Sequence, residues 1–505
     1  MNAKAWPAGV SLAVAAMLAG GPSASAQEAN DFVIRGFVSQ GFLKSSANRL
    51  LDAETDEGTF AYTEAALNFT AQPLPKVRVA AQLFARDFGT QGNNRVILDW
   101  GVGEYRAWDQ LGFRIGRVKF PVGLYNTVQD ADVARPEIFQ PSGVYPPERR
   151  DLTNAIDGGG IFGTQGNNRL TLDWGVGEYR AWDQLGFRIG RVKFPVGLYN
   201  TLQDADVARP EIFQPSGLYP PERRDLTNAI DGGGIFGTLR LGAAGYLEYE
   251  ALYGTLDLDG TYILLRSSKQ ASAALVAPLS GLGFTNVNYV VAENSGKSKR
   301  AWGGYVEWHP PVSGLRIRGG LQGAEVDFLT TTNYSMFAGP APVALTARSS
   351  VHFEVPHQFV ISGEYSRGGL RLTAEHARQR TEGLTVISGL PFPVPPNATV
   401  AEPISTYGQA AYRFNDHFQA SGYYSVSYAD RNDKDGAKLA ARGQDASGAY
   451  VKDLAFTLRA DVNAHFLIKV EFHDYNGTLI LSPVENPNGM EKDWTLFAVK
   501  TTFHF

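Results

Sequence analysis

The amino-acid sequence predicts an all-β fold, a transmembrane, antiparallel, up-and-down β-barrel. Three observations carry that prediction. Segments alternate apolar and polar residues with a period of two, linkers alternate between very short and long, and the chain ends on a strand-like stretch finishing at Phe505.

Alternation is plain in four places. Val77, Val79, Ala81, Leu83 and Ala85 face away from Arg78, Gln82 and Arg86. Leu315, Ile317, Gly319 and Leu321 alternate with Arg316, Arg318 and Gln322, and Ile468, Val470 and Phe472 with Lys469, Glu471 and His473. Phe418, Ala420, Gly422, Tyr424, Val426 and Tyr428 oppose Gln419, Ser421, Ser425 and Ser427. Successive strand side chains point to opposite sides, so each segment has one apolar and one polar wall.

A soluble sandwich shows the same alternation, and the linkers decide against it. Asn415-Asp416 and Arg367-Gly368 read as tight turns, whereas 257–299, 327–355, 381–402, 430–450 and 476–492 read as long polar loops. Short turns on one side and long loops on the other are how membrane barrels are built. Trp302, Trp308, Tyr407, Phe414 and Tyr428 fall near expected strand ends, where interfacial aromatic girdles belong. In the last stretch Phe497, Val499, Phe503 and Phe505 share a face, with Thr501 among them. Ending on alternate apolar residues, Phe503 and Phe505 foremost, resembles the assembly signal of outer-membrane barrels. Closure is required because lipid offers an open edge's N–H and C=O groups no partner.

The N-terminus reads as a secretory signal peptide over 1–26: Lys4, an apolar stretch from Ala8 to Ala19, and the small-residue site Ala24-Ser25-Ala26. About a dozen apolar residues are too few for a membrane-spanning helix, which needs ~20. The expectation is export to the outer membrane of a Gram-negative cell, with residues 27–505 forming one barrel domain. The chain has no cysteine, which excludes disulfides, thiol catalysis and a lipoprotein anchor. Its 46 basic and 51 acidic residues are well mixed, so it lacks the basic footprint of a nucleic-acid partner.

Strands are expected at about 31–43, 59–71 and 76–88, then at 231–241, 245–255, 300–309, 315–326, 357–366, 369–380, 404–414, 417–429, 451–461, 465–475 and 494–505. Between the two sets lies a tandem duplication. Residues 89–162 recur as 163–236, and only Val96/Leu170, Ile97/Thr171, Val128/Leu202 and Val144/Leu218 differ. Structural repeats keep core positions and lose loops, whereas here loops match as closely as strands. Each copy holds two strands, at 95–108 and 112–121 and again at 169–182 and 186–195, followed by a long loop and a glycine-rich strand start. An even number of strands puts both chain ends on one side of the membrane. Eighteen strands result if 153–168 becomes loop, and sixteen if one copy is extruded.

Gly116-Arg117-Val118-Lys119-Phe120-Pro121-Val122-Gly123-Leu124, repeated at 190–198, resembles the G-R-x-K-x-P-x-G-L motif of a porin family distantly similar to the phosphate-selective porins. The opening Arg35-Gly36-Phe37-Val38-Ser39-Gln40-Gly41-Phe42 and the stretch from Arg150 to Gly160 are similar to the same pattern. The resemblance spans most of the chain, the duplication being the departure. It implies a trimeric, water-filled channel for small solutes or ions, whose third outer loop folds inward. Its other partners would be outer-membrane lipid, lipopolysaccharide and the barrel-assembly machinery, with no cofactor.

The residues permit such a constriction. The loop 122–152 carries Asp130, Asp132, Arg135 and Glu137, and its copy carries Asp204, Asp206, Arg209 and Glu211. Arg78, Arg86, Arg117, Lys119, Arg191, Lys193, Arg316 and Arg318 belong to strand faces expected inside. Acids on an inward loop facing a basic wall set a field across the narrowest point. The wider inward set adds Arg371, Arg459, Lys469 and Lys500, against Glu64, Asp99, Glu248, Glu250, Glu307, Glu364, Glu375, Asp453 and Glu471, a balance that fixes no ion preference. The alternatives are an anion- or phosphate-selective channel and a non-conducting structural or adhesin barrel. The eight His residues form no metal or catalytic-triad motif, so no enzyme is expected.

Overall fold

A computed structural model describes residues 32–50, 53–74, 77–88, 91–108, 111–117, 155–157, 175–193, 195–198, 211–216, 218, 219, 229–256, 258 and 262–505. The expected signal segment 1–26 and the expected first-copy loop 122–152 lie outside that set.

Twenty strands follow one another: β1 (Val33–Ser45), β2 (Tyr62–Leu74), β3 (Val77–Phe88), β4 (Gln91–Trp108), β5 (Leu111–Arg117), β6 (Ala155–Asp157), β7 (Gly175–Trp182), β8 (Leu185–Lys193), β9 (Ala229–Arg240), β10 (Tyr246–Thr255), β11 (Thr285–His309), β12 (Leu315–Ala338), β13 (Ala341–Arg367), β14 (Leu370–Ser388), β15 (Asn397–Ala401), β16 (Ile404–Arg413), β17 (Phe418–Tyr428), β18 (Tyr450–Asn463), β19 (Phe466–Asn476) and β20 (Asp493–His504). Away from the β5–β7 junction, each long strand pairs antiparallel with its sequence neighbour, and β20 pairs with β1 at the other seam. β15 and β16 lie end to end along β14 and form one broken stave. β6 is a three-residue piece parallel to β5, with β7 beside both. Among the described residues this makes eighteen antiparallel staves. The expectation that 153–168 becomes loop is corrected at Ala155–Asp157, which patches the seam between the two copies.

Three expected loops are mostly regular structure. β11 takes up 285–299, β12 and β13 take up most of 327–355, and β14 runs on to Ser388. Their residues are polar, yet β-branched and aromatic side chains such as Thr330, Thr332 and Tyr334 favour strand and keep the alternation. Gly339-Pro340 turns β12 into β13, so the expected long loop there is a tight hairpin. The remaining stretch forms helices α1 (Tyr262–Ala274) and α2 (Val276–Gly281), and 430–450 contains the single turn α3 (Ala437–Ala440). No helix among the described residues is long and apolar enough to cross a membrane.

The apolar outer band on β12 runs from Leu315 to Leu321, and a belt of charge lies above it. Arg300 meets Glu325 at 2.9 Å and Glu354 at 2.8 Å, and Lys299 meets Glu325 and Asp327 at 3.2 Å. Strands extend well beyond this belt, with α2 packed on their inner face through Leu279, Tyr334, Met336 and Ala347.

Candidate functional site

The barrel's interior is the candidate site. Directly opposed strand residues share a face, so the register sets which side chains meet there. Glu307, Arg318, Ser362, Glu375 and Tyr407 fall side by side on β11 to β16. Arg318 donates to Glu307 at 2.6 Å, Ser362 donates to Glu375 at 2.5 Å, and the Tyr407 hydroxyl donates to the same carboxylate. Farther round, His473 on β19 lies 2.9 Å from Asp453 through Nδ1 and 2.9 Å from Glu471 through Nε2. Lys500 reaches Glu64 at 2.9 Å, Arg459 reaches Asp461 at 2.8 Å, and Arg188 reaches Glu250 at 2.6 Å. Opposite charges in such contact offset the several kcal/mol per ion that withdrawal from water costs.

Into this wall the second-copy loop folds. After β8 the chain turns at Pro195-Val196-Gly197-Leu198, the end of the repeated G-R-x-K-x-P-x-G-L motif, and all four residues are buried. Gly197 has φ +59°, a left-handed conformation that side chains resist. A Cβ there would also lie 2.8 Å from Glu375. The Gly197 carbonyl accepts from Arg318 at 3.0 Å, and the Leu198 N–H donates to Glu375 at 2.8 Å. Tyr219, where the loop returns, donates to Glu375 at 2.6 Å. The loop's middle is held elsewhere: the Ile212 and Phe213 N–H groups donate to Glu471 at 2.6 and 2.8 Å, and Ser216 donates to Asp453 at 3.2 Å. Thus Glu375 grips both ends of the loop and Glu471 grips its middle.

Apolar contacts fill in behind these bonds. Leu198, Leu218 and Tyr219 pack on Val360, Ala377 and Tyr407. Ile212 and Phe213 pack with Leu43, Tyr62, Tyr475, Leu481 and Trp494.

Of the expected constriction residues, Arg318 meets the loop directly and Glu211 belongs to it. Glu211 is fully buried and faces Arg371 at 3.9 Å, while Arg316 pairs with Glu364 at 2.9 Å. Arg78 and Arg86 lie on β3, Arg117 ends β5, and Arg191 and Lys193 close β8. The side chains of those five, and the whole of Lys119, Asp130, Asp132, Arg135, Glu137, Asp204, Asp206 and Arg209, lie outside the described residues. Phe503 stands on β20 and Phe505 follows it. Tyr407 is corrected from girdle to interior. It shares the parity of the buried Ser405 and Gln409, a signal present in the sequence. Among the described residues one His–carboxylate group has metal-ligand spacing, Glu248, Glu307 and His309, but Arg318 already occupies Glu307.

The exposure pattern decides what surrounds the barrel. Leu458, Phe456 and Phe418 stand 64, 56 and 56 % exposed on the outside, while Arg459, Lys469 and Glu471 are 1, 0 and 0 % exposed within. A protein folded in water buries the first kind and exposes the second. This is a transmembrane barrel.

No family model matches the chain, and no curated protein matches it in sequence. Among solved structures it is similar to the Salmonella typhi OmpF complex with daunomycin, at 10 % identity and TM-score 0.43 over 94 % of this chain and 98 % of that one. It is similar also to the outer membrane channel DcaP of Acinetobacter baumannii, at 10 % and 0.41 over 94 and 97 %. An anion-selective porin from Comamonas acidovorans matches at 9 % and 0.40 over 94 and 100 %.

Proposed function

We propose that the chain is an outer-membrane channel through which small hydrophilic solutes or ions diffuse passively, narrowed by the inward loop of the second copy. One observation carries this reading: a charged inner wall whose carboxylates Glu375 and Glu471 hold a loop against it by its backbone N–H groups. A charged lining is costly in a structural core and useful in an aqueous path. The loop acid Glu211 and the wall bases Arg316 and Arg318 are the described part of the proposed constriction, with Arg371 facing Glu211, and the remaining expected residues stay proposed members of it. Trimer formation, contact with lipopolysaccharide and delivery by the assembly machinery belong to the same reading, as does cleavage of residues 1–26.

The reading is non-enzymatic. Both ring nitrogens of His473, the most acid-flanked histidine of the lumen, are taken by carboxylates, which leaves none to serve a nucleophile. A structural barrel has one observation in its favour, the apolar packing of Ile212, Ile480, Leu481 and Trp494 inside the wall. Planar-bilayer recording separates the two: the channel reading expects discrete steps and a reversal potential in a salt gradient, the structural reading neither.

A further inference from the structure

Helix α1 joins two walls of the barrel. Ser268 and Ser272, one turn apart, line one side of it. Ser272 bonds Thr332 at 2.7 Å, Tyr334 donates to the Ser272 carbonyl at 2.8 Å, and Asn294 donates to Ser268 at 3.2 Å. These bonds fasten the helix to the inner face of β11 and β12 above the charged belt. Just past its end, Leu275 and, on α2, Leu279 sink into an apolar cluster with Tyr334, Met336 and Ala347.

Arg266 and Gln270, also one turn apart, point the other way. The Arg266 guanidinium donates to the Leu481 carbonyl at 2.5 Å, and Gln270 donates to the Ser482 hydroxyl at 3.2 Å. Leu481 and Ser482 belong to the loop joining β19 to β20, and Leu481 is packed against Leu43 and Trp494. Five staves separate β12 from β19: β13, the joined β15–β16, β14, β17 and β18. The helix therefore passes over the outer mouth between distant walls.

Its two attachments differ in kind. The β12 side has three hydrogen bonds and, through Leu275 and the following α2, an apolar cluster, whereas polar side chains, Arg266 and Gln270 among them, make the contact on the β19–β20 side. We propose that α1 is a gating strap: it stays anchored through Leu275 and the following α2 at Leu279, and swings off the 481–482 loop to open the outer entrance. The inference rests on the channel reading and supplies that channel's regulation.

The chain has no native cysteine, so the test is clean. Gln270→Cys with Ser482→Cys is linked by oxidation or a short bis-maleimide, and single-channel current is recorded before and after. The disulfide-linked protein is expected to lose most of its current and regain it with dithiothreitol, and Arg266→Ala with Gln270→Ala to open more often than wild type. Equal currents from linked and reduced protein would overturn the strap. If neither form conducts, it is the channel reading that fails, and spin labels on the same two cysteines then decide the strap. Two distance populations support a swinging helix, and a single narrow one refutes it.

Discussion

Gly36 and Phe505 exchange both backbone hydrogen bonds, N–H to carbonyl at 3.0 Å each way. This reciprocal pair joins the start of β1 to the residue after β20 and locks the ring at its seam. A Cβ on Gly36 would lie 2.5 Å from the Ala66 carbonyl oxygen and 2.9 Å from the Phe505 ring. Gly36→Val is therefore expected to lower the yield of closed barrel, read as loss of the fast-migrating, heat-modifiable band in electrophoresis. Phe505→Ala should lower it too, through the missing outward aromatic.

The loop's middle depends on Glu471, which accepts from Ile212, Phe213 and Thr457 and touches His473. Hydrogen bonds to a charged group contribute about 1.5–3 kcal/mol each, so Glu471→Ala costs the loop several times thermal energy. A spin label at Phe213→Cys should change from immobile to mobile in that background. An unchanged spectrum would show that apolar packing alone holds the loop.

Gly197 is a separate control on the same loop. A non-glycine residue at its positive φ costs roughly 1–2 kcal/mol before any clash with Glu375. Gly197→Val is expected to raise open-channel noise while the barrel still folds, because the strain falls on the loop and not on a stave.

All described loop anchors use second-copy residues, between Gly197 and Tyr219. Deleting 89–162 removes β4, β5 and β6 and leaves an even set of sixteen staves with the loop intact. The shortened chain should fold and conduct in smaller steps. Failure to fold would mean that both copies are needed for closure.

Outside the membrane, Glu402 links the β15–β16 break to the loop after β17. The hydrogen-bonded Arg431 guanidinium, with Arg378 nearby, holds its carboxyl below the ordinary range. A lowered folded value means the link is complete above the ordinary carboxylate range and is lost as pH falls through the lower value. A spin label at Lys434→Cys should loosen in that acid window, and in Glu402→Gln it should be loose at neutral pH.

Much of the wall was legible because period two is a local property. Gln419, Ser421, Ser425 and Ser427 are buried opposite the exposed Phe418 and Tyr424, as the alternation predicts. Where strands leave the lipid was not legible, since polar residues such as Thr330 and Thr332 keep the same period above the belt as Gln322 does below it. Tyr407 was misread by residue type where its parity with Gln409 pointed inward. The loop's anchors were beyond reach for another reason. Glu471 lies 259 residues from Ile212, and no local pattern says which inward carboxylate a distant loop will meet.

Planar-bilayer recording of the refolded chain beside its Glu375→Ala, Glu471→Ala variant tests the central claim most directly. Discrete steps from wild type and larger ones from the variant are predicted, because freeing the loop widens the path. Folded, heat-modifiable protein that gives no steps in either form would contradict it.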